Sequence, residues 1–159
     1  MMMRADPKRL LIYFFYDKDG IVDRYIPYLL EDMKKNVSEI CFVSNGKLEQ
    51  ESRKKIEGLA ERVIERANVG FDVWAYKEAL ESYGFEALAE AYDEVILMNY
   101  TIMGPIYPFK EMFDRMDRTD VDFWGLTKYH KVPYDPFGLT DCGYIREHLQ
   151  SHFIAVRSS

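Results

Sequence analysis

The chain has 159 residues, of which 48% are hydrophobic and 30% are charged. This length and composition fit one domain with a buried core and exclude a disordered chain. The formal net charge of −6 and the lack of a basic run with interleaved aromatic residues argue against a nucleic-acid partner. The two cysteines have no metal-ligand spacing and suggest no disulfide framework, so we expect a reducing compartment.

Apolar runs alternate with amphipathic segments along the chain. Residues 8–16 form a continuous apolar run bounded by charge, which is typical of a buried central strand. No apolar run approaches the roughly 20 residues that a membrane-spanning helix needs. In chain order we predict strands at residues 8–16, 38–43, 63–65, 94–98, 121–126 and 152–157, and helices at residues 21–35, 48–60, 72–83, 85–92 and 109–116.

This alternation predicts the fold class. Strand and helix follow one another four times, which favours an α/β domain with a mostly parallel central sheet and helices on both faces. No internal repeat or linker composition interrupts the pattern, so we predict a single domain over residues 1–159. The sequence stops directly after the last predicted strand, and we therefore expect this domain to be a C-terminally truncated piece of a longer protein.

A polar turn lies between the predicted strand at 63–65 and the predicted helix at 72–83. Gly70 readily takes a positive φ, and Asn68 hydrogen-bonds easily within its own turn. Asp72 stands where the N-cap or first turn of the helix would place a carboxylate. The segment is therefore predicted to form a strand, a tight turn and a helix, an arrangement at which α/β proteins bind ligands. Turn and cap chemistry alone would also explain these three residues.

Polar side chains follow four of the predicted strands. The carboxyl ends of parallel strands meet at one edge of a sheet, where the ligand crevice of an open α/β fold lies. Their convergence predicts a site for a polar ligand such as a nucleotide or a sugar phosphate. The residues concerned are Asp17 and Asp19, Ser44 and Asn45, Asn68 to Asp72, and Asn99 to Thr101.

One interpretation of the first strand end is a phosphatase site. A hydrophobic strand followed by Asp17 and Asp19 resembles the opening of the haloacid dehalogenase phosphatases, in which the first aspartate is the nucleophile and Mg²⁺ bridges carboxylate and phosphate. That chemistry also needs acids after a later strand, and no acid follows the strand at 94–98 before Glu111. A plain solvated turn at residues 17–20 is the alternative.

Four later segments carry a second resemblance. They read NVGFDVWAYKEAL, NYTIMGPIYPF, DVDFWGLTKYH and HLQSHFIAVRS, beginning at residues 68, 99, 120 and 148. In order and spacing they resemble successive motifs of the rhamnan synthesis protein F family, which takes part in bacterial polysaccharide and lipopolysaccharide assembly.

The resemblance implies a function. The family is similar to glycosyltransferases with an A-type fold, which implies transfer from a nucleotide sugar, with dTDP-rhamnose as the expected donor and a glycan or glycolipid as acceptor. It implies a cytoplasmic protein, with peripheral association at the inner face of the membrane. A non-catalytic domain that binds the nucleotide sugar or serves as a scaffold is the alternative.

The resemblance also implies donor-binding residues. The first two strand ends would hold the base and ribose, the turn at 68–72 would flank the nucleoside, and the HLQS motif would line the site. The implied residues are Tyr16, Asp17, Ser44, Asn45, Asn68, Gly70, Asp72, Asn99, Thr101, His148, Gln150 and Ser151.

The sequence departs from the family pattern at residues 99–101. Glycosyltransferases of this fold usually hold Mg²⁺ or Mn²⁺ there with an acidic motif, but Asn99 and Thr101 are neutral oxygen donors, so metal dependence is left open. Lys77, Lys128 or Arg157 would then have to neutralise the leaving diphosphate. A plain turn before the Gly-Pro pair at 104–105 is the alternative.

The sequence assigns no catalytic base. An inverting transfer needs a group that takes the proton of the acceptor hydroxyl. Asp72, Asp135 and Asp141 are candidates, but the latter two lie in contexts typical of plain turns. Trp74 and Trp124 could stack on a sugar or base, but helical and strand periodicity sends both towards the core, where we expect them.

Overall fold

The computed structural model describes residues 3–158 and has a six-stranded sheet with five helices on its faces. The strands are β1 (Arg9–Phe15), β2 (Glu39–Asn45), β3 (Arg62–Arg66), β4 (Glu94–Asn99), β5 (Phe123–Gly125), β6 (Lys128–Tyr129), β7 (His148–Leu149) and β8 (Phe153–Arg157). The helices are α1 (Tyr25–Met33), α2 (Gln50–Glu57), α3 (Phe71–Tyr83), α4 (Phe85–Ala91) and α5 (Phe109–Met116).

The strand order of the main sheet is β3-β2-β1-β4-β8-β5. Strands β1 to β4 are parallel, β8 is antiparallel to β4, and β5 is antiparallel to β8. This confirms the predicted α/β class with a mostly parallel sheet. Strands β6 and β7, which pair in a separate two-stranded sheet, are not among the predicted strands.

The sheet buries both of its faces under helices. All seven residues of β1 are buried, as expected for a continuous apolar strand flanked by β2 and β4. Its side chains alternate between the faces, so Leu11 and Tyr13 lie in one apolar cluster with α1, α2 and α5. Leu10 and Ile12 lie in the other cluster, with α3 and α4.

The two tryptophans behave differently. Trp124 is buried, as predicted, and its Nε1 donates to Glu94. The prediction for Trp74 is wrong, because its side chain is 49% exposed. The buried stripe of α3 consists of Ala75, Tyr76 and Ala79, and Trp74 lies beside that stripe rather than within it.

A buried ion cluster closes the amino edge of the sheet. The carboxylate of Glu94 accepts hydrogen bonds from Arg9 Nε at 3.0 Å and from Arg157 Nε at 3.1 Å. Arg9 also pairs with Asp117 and stacks over the ring of Phe113. Because β8 runs antiparallel to β4, its last residue lies beside the first residue of β4.

The two thiols are expected to react at very different rates. Burial raises the pKa of the Cys41 thiol to about 11, whereas Cys142 is exposed in a loop. Because the thiolate is the reactive species and about one thiol in a thousand is ionised three pH units below its pKa, Cys41 should remain unmodified at pH 8 in the folded protein. A colorimetric thiol reagent should therefore titrate one group in buffer and two in denaturant, and Cys142→Ser should abolish the rapid phase. Two rapid groups in buffer would contradict the burial of Cys41.

Candidate functional site

The carboxyl edge of the sheet contains a topological switch point between β1 and β4. The two strands are parallel neighbours, and Phe14 of β1 is in register with Asn99 of β4. From β1 the chain continues through β2 and β3 on one side, while β4 lies on the other. In open α/β sheets the ligand crevice forms at such a point.

Asn45, at the end of β2, is the centre of the first polar cluster. Its side chain is fully buried, and Nδ2 donates to Asn68 Oδ1 at 3.1 Å and to the carbonyl oxygen of Phe71 at 3.1 Å. Its Oδ1 accepts from Arg66 Nη1. The predicted convergence of the second strand end with the turn at 68–72 is therefore present in the structure.

Arg66, at the end of β3, fixes this turn. Its Nε and Nη2 each donate to the carboxylate of Glu78 on α3 at 2.8 Å, and Nη2 also donates to the carbonyl oxygen of Val69 at 3.0 Å. The hydrogen bond from Arg66 holds the pKa of Glu78 below its usual value. The guanidinium thus ties together the start of α3, the turn and Asn45.

The turn has an unusual backbone. Gly70 has φ of +70° and the following Phe71 has φ of +54°, so two successive residues lie in the left-handed region. A Cβ on Gly70 would lie 2.1 Å from Cγ of Trp74, so the close approach of this ring also requires glycine. The conformation leaves Phe71 78% exposed, next to the half-exposed Trp74.

A second polar cluster joins the start of α3 to the end of β4. Asp72 lies in the first turn of α3, as predicted, and its Oδ2 accepts from Asn99 Nδ2 at 3.3 Å. Asn99 Oδ1 accepts from the backbone N–H of Thr101 at 3.1 Å and from its hydroxyl at 2.5 Å. Thr101 Oγ1 lies 3.3 Å from Nδ1 of His152, which precedes β8.

The first two strand ends divide between the faces of the sheet. Ser44 is buried on the α1 face, because it alternates with Asn45, which lies on the α3 face. Tyr16 packs against the α3-side cluster, so it lies on the same face as Asn45. Asp17 Oδ1 accepts the N–H groups of Asp19 and Ile21, both at 2.9 Å, so its carboxylate closes the turn after β1.

The HLQS residues lie in a separate element above the same edge. His148 is in β7, where it stacks on Tyr129 of β6 with ring centroids 5.4 Å apart. The backbone N–H of Gln150 donates to the carbonyl oxygen of Thr127, and Ser151 is exposed in the following turn. This turn separates β7 from β8, so the HLQS residues are not part of the strand that follows them.

The three cations predicted for the diphosphate have different surroundings. Arg157 is excluded from that role, because it lies at the opposite, amino edge and its guanidinium binds Glu94. Lys128 pairs with Glu147 at 3.1 Å on the β6–β7 hairpin. Lys77 lies on α3, with Nζ 5.5 Å from the ring centroid of Trp74 and 3.7 Å from Oε1 of Glu81.

Asp135 serves as a turn cap. Desolvation would raise its pKa, but hydrogen bonds from the backbone N–H groups of Thr140 and Phe137 outweigh this and hold the pKa of Asp135 below its usual value. An ionised carboxylate with a lowered pKa is a weak proton acceptor, which disfavours Asp135 as a catalytic base. Asp141 is exposed in the same loop.

The cluster at residues 99–101 is a poor divalent-metal site. Asp72 is its one carboxylate, and the remaining oxygen donors belong to the neutral Asn99 and Thr101. Across residues 3–158 no group of three or more histidine, cysteine, aspartate or glutamate side chains is placed to hold a metal ion. Within this same stretch every helix is too short or too polar to span a bilayer.

Sequence reasoning missed two residues of this edge. His152 directly follows the HLQS motif, and its contact with Thr101 spans 51 residues of sequence, so no local pattern indicates it. Arg66 resembles a solvated charge at a strand end, yet its side chain is 6% exposed. The one available signal for Arg66 was its position directly before the turn.

Comparison with known proteins identifies the family. A profile described as rhamnan synthesis protein F matches residues 40–159. A solved structure of the mannosyltransferase Ktr4p from S. cerevisiae in complex with GDP aligns with 13% sequence identity and a TM-score of 0.46, covering 99% of this chain and 60% of that one. The chain thus spans less than two thirds of the length of this neighbour, and no curated protein sequence matches it. Because the profile match includes most of the sequence, the chain belongs to the rhamnan synthesis protein F family.

Proposed function

We propose that the protein is a glycosyltransferase that moves a sugar from a nucleotide sugar onto a glycan or glycolipid during synthesis of a cell-surface polysaccharide or lipopolysaccharide. The expected donor is dTDP-rhamnose. The observation that carries this proposal is the pair of polar clusters around Asn45 and Asn99, which meet the start of α3 at the switch point between β1 and β4. Membership of a rhamnan synthesis family supports a sugar substrate.

The residues of this edge suit the parts of a nucleotide sugar. Asn45 and Asn68 hold each other in place and shape the turn beside the proposed nucleoside position, and Asp72 provides a carboxylate hydrogen-bonded to the end of β4. The exposed rings of Phe71 and Trp74 offer apolar faces on which a base or sugar can stack. Of the three predicted cations, Lys77 on α3 remains our candidate for contact with the diphosphate.

An exposed apolar segment beside the same edge supports a glycolipid acceptor. Between β4 and α5, Met103 and Tyr107 are both 73% exposed and Ile106 is 91% exposed. Such side chains, clustered next to a polar site, suit the lipid portion of an acceptor or a membrane surface. We therefore retain peripheral association with the inner face of the membrane as part of the proposal.

Calorimetric titration with dTDP, UDP and GDP, each with and without Mg²⁺ or Mn²⁺, tests the donor site. We expect one nucleotide to bind saturably and its affinity to fall at least tenfold, which is about 1.4 kcal/mol, in Asp72→Ala. Glu90→Gln, which removes an exposed charge on α4, is the matched control and should bind like the unmodified protein.

The outcome also separates the alternatives. Binding without hydrolysis or transfer of any sugar would favour the scaffold function, whereas phosphate release from a phosphomonoester that depends on Asp17 would favour the phosphatase. If no nucleotide binds under any of these conditions, the donor site is refuted.

A further inference from the structure

The hydrogen-bond chain at the end of β4 has a direction that can be deduced. The backbone N–H of Thr101 is a donor, so the Asn99 side-chain atom that it contacts at 3.1 Å must be the amide oxygen. This assignment turns the Asn99 amide nitrogen towards the carboxylate of Asp72. The orientation of the Asn99 side chain is therefore fixed by its neighbours at both ends.

The same reasoning extends to His152. The Asn99 oxygen is an acceptor, so the Thr101 hydroxyl, 2.5 Å away, must donate its one hydrogen there. Towards Nδ1 of His152, at 3.3 Å, Thr101 Oγ1 can then only accept. The hydrogen of the neutral imidazole is therefore on Nδ1, and Nε2 carries the lone pair.

The surroundings leave that lone pair available. The imidazole is partly exposed at the carboxyl edge, and within residues 3–158 its Nε2 makes no hydrogen bond. The backbone of His152 is held in place, because its carbonyl oxygen accepts from the N–H of Asn99 at 3.0 Å. The titratable groups on the adjoining elements are Asp72 on α3, Tyr100 after β4, and Lys128, Tyr129, Glu147 and His148 on or beside the β6–β7 hairpin.

We propose that His152 is the catalytic base of the transfer, with Nε2 as the proton acceptor, and that Thr101 and Asn99 are positioning residues that hold its tautomer. This inference rests on the proposed transferase function and assigns the catalytic base that the sequence left open. A hydrogen bond donated by Nδ1–H fixes the ring orientation and tautomer of a histidine and leaves Nε2 to act as a general base.

The proposed step is a direct displacement. The acceptor hydroxyl oxygen forms a bond with the anomeric carbon of the donor sugar while the bond from that carbon to the diphosphate oxygen breaks. The nucleoside diphosphate leaves with the electron pair, and Nε2 of His152 takes the hydroxyl proton and later releases it to water. The configuration at the anomeric carbon is inverted.

The first test reads the tautomer without any turnover. Long-range proton–nitrogen NMR spectra of the whole chain report which ring nitrogen carries hydrogen, and with three histidines in the sequence His152→Gln and His130→Gln assign the signals. We expect Nδ1–H for the neutral ring of His152, and loss of this preference in Thr101→Val. An Nε2–H tautomer in the unmodified protein would overturn the proposal.

The second test uses the pH dependence of transfer or of slow donor hydrolysis. The substrate is the sugar carried by whichever nucleotide binds in calorimetry. We expect His152→Gln to bind that nucleotide with unchanged affinity but to lower kcat about 100-fold or more and to remove the acidic limb of the pH profile. His130 is exposed in the loop after β6, so His130→Gln should keep the kcat and the pH profile of the unmodified protein.

The two tests distinguish failure of this inference from failure of the proposed function. If the unmodified protein transfers sugar and His152→Gln does so at the same rate with the same pH profile, the transferase stands and the base assignment falls. If nucleotide binds but no sugar is ever transferred or hydrolysed, both the base and the transferase fall while donor binding stands. Thermal melts that match the unmodified protein establish that His152→Gln is folded.

Discussion

Replacement of Glu94 by glutamine is expected to lower the free energy of unfolding by about 3–5 kcal/mol, the typical cost of removing one partner of a buried ion pair. Glu94 is fully buried, and its carboxylate accepts from Arg9, Arg157 and the indole nitrogen of Trp124. Glutamine keeps the shape but presents an NH₂ group where an acceptor is required. It also removes the negative charge that the two buried guanidinium groups of Arg9 and Arg157 share.

Urea unfolding followed by circular dichroism measures this loss, and the midpoint should fall with little change in slope. Glu90→Gln serves as the matched control, because it removes the same charge from an exposed position and should change stability by less than about 0.5 kcal/mol. A loss below about 1 kcal/mol in Glu94→Gln would show that the cluster is not a source of stability. Because Glu94 lies at the amino edge, nucleotide affinity should be preserved under conditions in which the variant is folded.

The order of elements could be predicted because each one carries a local signal. In β1 the six residues after Arg9 are all aliphatic or aromatic, and the segment that leads into α3 combines Gly70 with Asn68 and Asp72. Parallel strands then bring their carboxyl ends to one edge, so the meeting of Asn45 with Asn68 followed from the alternation alone.

The direction of β8 could not be predicted in the same way. A five-residue strand has the same hydrophobic pattern when it runs in either direction. Only its antiparallel pairing with β4 decides which end of β8 lies at the carboxyl edge of the sheet. Arg157 was therefore predicted at the diphosphate although it lies at the opposite edge. The contact of His152 with Thr101 depends on that same antiparallel pairing, which places the start of β8 beside the end of β4.

The exposed position of Trp74 has a related cause. Helical periodicity gives the spacing of a buried stripe but not its rotation, and in α3 that rotation is set by the turn before it. The left-handed Gly70 and Phe71 determine where the helix begins, and the stripe then falls on Ala75 and Ala79. The geometry of the turn thus decides which rings face the candidate site.

Arg66→Lys is expected to disrupt this turn despite keeping the positive charge. The guanidinium of Arg66 reaches the Glu78 carboxylate through two hydrogen bonds and also donates to Asn45 and Val69, whereas an ammonium group cannot match this planar arrangement of donors. We expect stability to fall by about 2–3 kcal/mol, since hydrogen bonds to a charged partner and to the buried Asn45 are lost together. Nucleotide affinity should fall more than tenfold under conditions in which the variant remains folded.

Glu78→Gln separates the ion pair from the rest of the arrangement. This variant keeps the contacts of Arg66 with Asn45 and Val69, so it should lose less stability than Arg66→Lys and retain most of the nucleotide affinity. Because the folded protein lowers the pKa of Glu78, the contribution of the pair is complete at neutral pH and disappears as pH falls below the ordinary carboxyl range. Urea unfolding and calorimetry on both variants measure the two losses of stability and of nucleotide affinity. An equal loss of affinity in both variants would show that the ion pair with α3, rather than the contact with Asn45, shapes the site.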